Sequence, residues 1–212
     1  MTDRKKTWGI ILLSSLVILA PILYGLSVYQ QLPANMVVHF NIHNQPDQWA
    51  PKPFVTFGIP VLMLLLQWVC VLVMRWRVQQ NAAAPRFERV VYTIVPLINL
   101  VVYLVSIQFN LGHDVDVRRI VLLLISVIFI AMGNYLPTIP FESQRYLNRP
   151  RLKHRDLWQR FNRVLGYSFI GGGLILLVSL FFPAIWSAVG LFGFIAWLFW
   201  LLWHYWRLDR RN

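Results

Sequence analysis

The segment WGIILLSSLVILAPILYGLSV, residues 8–28, carries no charged side chain over 21 consecutive positions. A helix rises 1.5 Å per residue, so about 20 apolar residues cross the roughly 30 Å hydrocarbon core of a bilayer. The segment follows Arg4-Lys5-Lys6 as a signal peptide would, but it is too long for one, and no small-x-small cleavage site precedes the next polar loop. We therefore expect it to remain as the first membrane span.

Five more apolar runs of comparable length follow the first. The chain of 212 residues is 58% hydrophobic and 13% charged, with a mean hydropathy of +0.55, which excludes an ordinary soluble domain. The sequence therefore predicts an all-α integral membrane protein: a six-helix transmembrane bundle with a structured extracellular loop and a cytoplasmic amphipathic helix. The further runs are residues 54–74, 91–111, 120–139, 165–182 and 184–205.

The basic residues are distributed unevenly between the two sides of these spans. With the N-terminus in the cytoplasm, 17 of the 20 Lys and Arg residues fall inside, and only Lys52, Arg118 and Arg119 fall outside. Because basic residues accumulate on the cytoplasmic side, we expect both termini to be cytoplasmic. The formal net charge of +12 is then explained by topology and by contact with anionic membrane lipids, so direct nucleic-acid binding is not expected.

The loop of residues 29–53 is the polar segment expected outside. Leu32-Pro33 ends the first span, because a residue before proline is driven into extended geometry. Residues 36–40 have the β-branched and aromatic character of a short extended segment, and residues 41–47 contain turn formers. We expect this loop to form a fixed plug on the mouth of the bundle, held by its dense polar side chains. Those side chains are His39, Asn41, Asp47 and Trp49.

Three potential metal ligands, His39, His43 and Asp47, are spaced by four in the same loop. On a helix this spacing would place them on one face, as zinc requires, but an extended and turn-rich segment does not offer that face. A histidine network that holds the loop closed is the favoured interpretation, and no metal or cofactor is expected.

The second polar segment is the inside loop of residues 140–164, and the sequence RLKHRDLWQRFNRVLGY, residues 151–167, leads from it into the fifth span. On a helical wheel, its apolar and polar residues separate onto opposite sides, which predicts an amphipathic helix in the cytoplasmic interface that runs into the fifth span. The apolar side holds Leu157, Trp158, Phe161, Val164 and Leu165, and the polar side holds Arg155, Asp156, Gln159, Arg160 and Arg163.

Catalysis and ion-coupled transport receive little support from the residues. No Gly-x-Ser-x-Gly or His-Glu-x-x-His motif is present, so the protein is not expected to be an enzyme. The span centres lack the charged residues that transporters usually place there. The polar residues of the spans are typical of hydrogen bonding between helices. They are Gln67, Asn99, Gln108 and Asn134. The alternative that stays open is a transporter or binder of a lipidic or small uncharged ligand in envelope homeostasis.

The polar loop and the start of the second span match the pattern LP…HFN…G.PD.W..K…P. The matching residues are Leu32-Pro33, His39-Phe40-Asn41, Pro46-Asp47, Trp49, Lys52 and Pro60. This pattern resembles that of a membrane domain of uncharacterised function, which often precedes the SdpI-type immunity domain. Asn44 stands where the pattern usually has glycine, and asparagine tolerates left-handed backbone better than other non-glycine residues. The resemblance implies an N-terminal membrane domain over residues 1–112.

Residues 113–212 resemble the SdpI-type domain through Gly133-Asn134-Tyr135, Pro137, Arg149-Pro150, Leu152, Trp158, Asn162-Arg163 and Gly166. The usual RTPWTL core is reduced here to Arg149-Pro150-Arg151-Leu152. The resemblance implies a multipass protein of the bacterial cell membrane that gives immunity to a secreted membrane-active toxin peptide. It also implies a receptor role, in which a small helix-turn-helix repressor is recruited inside. The implied cytoplasmic residues are Asn134, Arg149, Trp158, Asn162 and Arg163, and the outer loop would meet the toxin.

Overall fold

A computed structural model of the protein describes residues 2–41, 44–79, 84–144 and 152–211, with the backbone alone at residues 2–6, 77–79, 85 and 144. Within these ranges the chain is mostly helical, with one two-stranded sheet. The helices are α1 (Thr2–Leu19), α2 (Pro21–Ser27), α3 (Ile59–Gln79), α4 (Pro85–Asn110), α5 (Val117–Tyr135), α6 (Arg155–Ser179) and α7 (Ala184–Arg211), and the strands are β1 (Asn35–Phe40) and β2 (Pro46–Pro51).

Six helical segments of the described chain are long and apolar enough to cross a membrane, which confirms the predicted six-span, all-α architecture. The first span was predicted as one helix but is formed by α1 and α2 in succession. The break lies at Ala20 because Pro21 has no backbone N–H and begins a new helix. The six segments are Thr7–Ser27, Phe54–Trp76, Arg86–Asn110, Val117–Thr138, Arg155–Ser179 and Ala184–Arg211.

The polar loop of residues 29–53 contains a β-hairpin. The extended segment predicted at residues 36–40 is confirmed as β1, whereas β2 was not predicted as a strand, because its proline-bounded sequence lacks β-branched residues. The strands pair antiparallel, and Val37 lies opposite Trp49. Asn44 in the turn has a φ of 60°, the left-handed conformation expected where the pattern has glycine. A π-helical turn, Phe54–Gly58, then leads into α3.

The chain divides into two compact units. The first comprises Met1–Val73 and Val91–Val121, and the second comprises Met74–Val90 and Leu122–Asn212. The domain division predicted from the resemblance, 1–112 and 113–212, stays a prediction.

Polar side chains join the helices of the first unit. Gln67 Nε2 on α3 donates to the Tyr92 carbonyl on α4 at 3.0 Å, and Asn99 Nδ2 on α4 donates to the Ile18 carbonyl on α1 at 2.9 Å. Gln108 Nε2 donates to the Tyr24 hydroxyl at 3.0 Å. These bonds confirm the predicted role of Gln67, Asn99 and Gln108 in helix–helix hydrogen bonding.

Small residues bring α5 and α6 together in the second unit. A Cβ atom added at Gly133 would lie 2.6 Å from the Gly166 carbonyl oxygen, and one added at Gly166 would lie 2.7 Å from that of Gly133. Seven residues after Gly166 on α6, a Cβ added at Gly173 would lie 2.9 Å from the Ser126 carbonyl oxygen on α5. The two backbones are therefore in direct contact, as is common where helices pack within lipid.

The amphipathic segment is confirmed as helical and continuous with the fifth span, since both belong to α6. Its predicted polar side is exposed, and Trp158 and Phe161 on its apolar side are buried. They pack with Leu152 and Leu201 and with partly buried residues that include Tyr205. The apolar side is thus covered by protein.

Candidate functional site

The side chain of Asn110 on α4 hydrogen-bonds to the backbone of the hairpin. Asn110 Oδ1 accepts the backbone N–H of Val37 at 2.8 Å, and Asn110 Nδ2 donates to the Val37 carbonyl at 3.2 Å. The carboxamide therefore bonds to β1 as a neighbouring strand would. Nδ2 also donates to the Ser106 carbonyl, one turn back, at 2.8 Å, which fixes the orientation of the side chain.

Lys52 secures the other end of the hairpin. Its Nζ donates to the carbonyls of Tyr29 and Leu32 at 3.1 and 3.0 Å, and it lies 4.6 Å from the centroid of the Tyr29 ring. The backbone N–H of Lys52 donates to the Ala34 carbonyl at 2.9 Å. Carbonyls at the end of the first span are thereby satisfied by a cation, which helix C-termini favour.

The turn and the underside of the hairpin are also fixed. Asn44 Oδ1 accepts the backbone N–H of Arg118 at the start of α5, at 3.1 Å. Met36 is fully buried in a cluster with Leu32, Val55, Tyr103 and Ile107. The Phe40 and Phe109 rings meet edge to face, with their centroids 4.7 Å apart. The hairpin is therefore a packed part of the first unit.

The outward side of the hairpin carries three of the four predicted outer residues. His39 Nδ1 lies 2.6 Å from Asp47 Oδ1, and the two side chains are 57% and 39% exposed. Trp49 is 57% exposed, and it shares a face of β2 with Asp47 because side chains alternate along a strand. An imidazole–carboxylate pair and an indole are thus presented together, which suits binding of a polar and aromatic ligand surface.

Asn41 organises the turn. Its side-chain Oδ1 accepts the Gln45 backbone N–H at 3.1 Å, and its backbone N–H donates to the Gln45 carbonyl at 2.9 Å. The predicted plug is therefore fixed, but mainly by Asn110, Lys52 and Met36, with His39 and Trp49 facing outward. Asn110 was missed, and its only signal in the sequence is a carboxamide at the end of an apolar run. His43 lies outside the described residues.

Trp158, predicted on the cytoplasmic side, is buried. Its indole is 7% exposed, and Nε1 donates to the Ile139 carbonyl at 3.2 Å. The rings of Trp158 and Phe161 lie 6.3 Å apart, and Phe161 packs against Tyr205 at 5.3 Å. Trp158 is therefore a packing residue that helps to set the position of α6.

The other predicted cytoplasmic residues differ in exposure. Asn162 is 3% exposed, and its Nδ2 has no hydrogen-bond partner among the described residues. Arg163 and Asn134 are exposed, so both are open to contact. Gly133, beside Asn134, is buried against Gly166. Arg149 lies outside the described residues.

Asp209 near the end of α7 was missed entirely. Its carboxylate accepts the Lys153 backbone N–H at 2.9 and 3.0 Å and the His154 backbone N–H at 3.3 Å, and it lies 2.9 Å from His154 Nδ1. α6 begins at Arg155, so a carboxylate from α7 caps its N-terminus and complements the helix dipole. The sequence signal was a single acidic residue within the basic segment WRLDRR.

Residues 16–64 match the family described as "Domain of unknown function (DUF1648)". This range contains the end of α1, the complete hairpin and the start of α3. The match confirms the N-terminal part of the resemblance, a membrane domain of uncharacterised function.

A relative from Bacillus subtilis (strain 168), "Uncharacterized membrane protein YbgB", is 30% identical over 67 residues. The alignment covers 32% of this chain and 66% of the relative, so the chain spans slightly less than two thirds of that protein's length. No solved structure matches the chain significantly. The chain is a multipass membrane protein with a distant similarity to YbgB.

Asn110→Ala should release the hairpin while leaving the helices in place. Loss of a partner for a buried backbone group costs about 1–3 kcal/mol, so amide hydrogen exchange within residues 35–51 should become roughly tenfold to a hundredfold faster. Exchange measured by mass spectrometry on the purified protein tests this. Gln48→Ala, an exposed carboxamide on β2, is the matched control and should exchange as the unmodified protein does. Equal exchange in both variants would show that Asn110 does not hold the hairpin.

Proposed function

We propose that the protein protects a bacterial cell from a secreted membrane-active toxin peptide, and that the β-hairpin is the surface that meets the peptide. The supporting observation is that the residues that anchor the hairpin differ from the residues that it exposes. Asn110, Lys52 and Met36 hold it on the first unit, which leaves His39, Asp47 and Trp49 exposed. A surface held rigid before binding loses little conformational entropy when a ligand arrives.

The chemistry of the exposed side suits an amphipathic peptide. The indole of Trp49 offers a large rigid apolar contact, and the carboxylate of Asp47 can accept hydrogen bonds from a cationic group. The imidazole of His39 orients that carboxylate through the 2.6 Å contact. Binding of this kind requires neither a nucleophile nor a metal.

Resemblance of the second half to the SdpI-type domain gains support from the packing of its glycines. Gly133 and Gly166 lie at opposite ends of the quoted signature, 33 positions apart, and their backbones meet between α5 and α6. Trp158 and Asn162, two further signature residues, are buried beside this crossing on α6. Gly133, Gly166, Trp158 and Asn162 are thus parts of one helix-packing arrangement.

A receptor role is proposed for the basic side of α6. Arg155, Arg160 and Arg163 are exposed there, and they could bind an acidic surface on a cytoplasmic helix-turn-helix repressor. Signalling requires two states with different affinity for that partner. The start of α6 is a suitable element, because it is held from α7 by Asp209.

The proposed orientation places the hairpin outside and both termini inside. Single cysteines introduced at Gln48 and His113, in a Cys70→Ser background, should react with an impermeant maleimide added to intact cells, because both positions are exposed. Cysteines at Arg86 and Asp156 should react only after the cells are opened. Labelling of Arg86→Cys or Asp156→Cys in intact cells would reverse or refute this topology.

Protection should depend on the exposed pair. Exposed ion pairs contribute about 0–1 kcal/mol to stability, so His39→Ala and Asp47→Ala should still insert and fold. We expect both variants to lose most protection when a sensitive host is challenged with a secreted membrane-active toxin peptide, measured as the inhibitory peptide concentration. Gln48→Ala, exposed on the same strand, should protect fully. Full protection by both His39→Ala and Asp47→Ala would refute the proposed binding surface.

Recruitment of a repressor should depend on Arg163. Crosslinking and pull-down from cells with and without toxin should capture a small cytoplasmic protein through the unmodified chain and through Gln159→Ala, an exposed control. Arg163→Ala should lower that capture severalfold, because an interfacial charge is lost, while toxin protection remains. Trp158→Ala is unsuitable as a test of recruitment, because truncating a buried tryptophan lowers the free energy of unfolding by about 3–5 kcal/mol. Identical capture by all variants in both conditions would remove the receptor role.

A further inference from the structure

A groove of about 420 Å³ lies in the second unit, at the end where α6 begins and α7 ends. Its volume falls within the range of about 300–1,000 Å³ typical of small-molecule sites. All of its lining residues are aromatic or aliphatic, and its base is formed by the buried side chains of Leu152 and Phe161. The opposite wall comes from α7, through the exposed Leu202, Trp203 and Trp206 and the partly buried Tyr205.

Two arginines border this wall. The guanidinium carbon of Arg210 lies 3.8 Å from the ring centroid of Trp206, and that of Arg207 lies 5.3 Å from the ring centroid of Trp203. Residues 203, 206, 207 and 210 follow helical spacing, so they form one stripe on α7. The apolar groove therefore continues directly into a cationic surface at the end of α7. The indoles of Trp203 and Trp206 hold the two guanidinium groups beside the groove.

The neighbouring carboxylate does not cancel this charge. Asp209 is 8% exposed and directs its oxygens toward Lys153 and His154 at the start of α6. Arg207, two positions before it, and Arg210 and Arg211, directly after it, are exposed. The outer surface of the α7 end is accordingly positive.

We propose that this groove binds one molecule of an anionic phospholipid, with an acyl chain along the aromatic wall and the phosphate at Arg207 and Arg210. The charge pattern favours this occupant, because an acyl chain matches the apolar part and a phosphate accepts hydrogen bonds from guanidinium groups. The end of a membrane span is also the depth at which phosphate and acyl chain meet. Basic pockets between spans bind anionic headgroups by the same physical principle. This site is independent of the proposed immunity.

Photocrosslinking in lipid nanodiscs tests the site. The full-length protein is reconstituted in phosphatidylcholine with a small fraction of phosphatidylglycerol that carries a photoreactive group in its acyl chain. Crosslinks, mapped by mass spectrometry, should concentrate on residues 152–161 and 202–206. They should be competed by unlabelled phosphatidylglycerol and not by glycerol phosphate, which has the phosphate without the chain.

The variants separate charge from groove shape. Arg207→Gln with Arg210→Gln should lower the phosphatidylglycerol labelling of the groove by about tenfold or more, because each basic group near an anionic surface contributes measurably. Arg86→Gln with Arg89→Gln removes two exposed charges on α4 and should leave the labelling unchanged. Leu202→Trp, which narrows the groove and keeps both arginines, should also lower it.

Three results would overturn the proposal. The first is equal labelling of the groove by a phosphatidylcholine probe with the same photoreactive chain, which would indicate general lipid contact. The second is an equal loss of labelling in the two double-arginine variants. The third is a crosslink between two protein chains at residues 202–206, which would show that a second copy covers the groove.

Discussion

The two hydrogen bonds between the Asn110 side chain and the Val37 backbone determine how an irregular segment can sit on a membrane bundle. Near hydrocarbon, strand backbone groups without partners are costly, and a two-stranded hairpin alone is only marginally stable in water. Asn110 supplies a donor and an acceptor to the outer edge of β1 at 3.2 and 2.8 Å. Both backbone polar groups of Val37 are therefore satisfied, next to Met36, which is buried beneath the hairpin.

In the second unit, α5 and α6 meet through glycines, where their backbones come into direct contact. Lipid is as apolar as leucine, so helix association in a membrane depends on close packing. Gly133 and Gly166 remove the side chains that would keep α5 and α6 apart, and Gly173 repeats the arrangement against Ser126. Gly171 has nothing within 4 Å of an added Cβ, so the three adjacent glycines are not equivalent in packing.

Features that depend on local composition were predictable from the sequence. Six spans follow from the lengths of the apolar runs, and the left-handed Asn44 follows from the glycine it replaces. Features that depend on tertiary partners were not. β2 becomes a strand only because β1 is beside it, and Trp158 is buried only because Leu201 and Ile139 lie over its apolar side. Asp209 gave no periodic signal, because its partners lie more than fifty positions earlier.

Burial also separates residues that build the fold from those available for recognition. Trp158 and Met36 are enclosed, so their replacement would act first on stability. His39 and Asp47 form an exposed pair worth about 1 kcal/mol at most, so stability gives little physical reason for both residues to be present. A rigid hairpin that displays such a pair beside an exposed indole has the properties of a preorganised binding surface. The same reasoning applies at the end of α7. There, the exposed indoles of Trp203 and Trp206 hold two guanidinium groups beside an apolar groove.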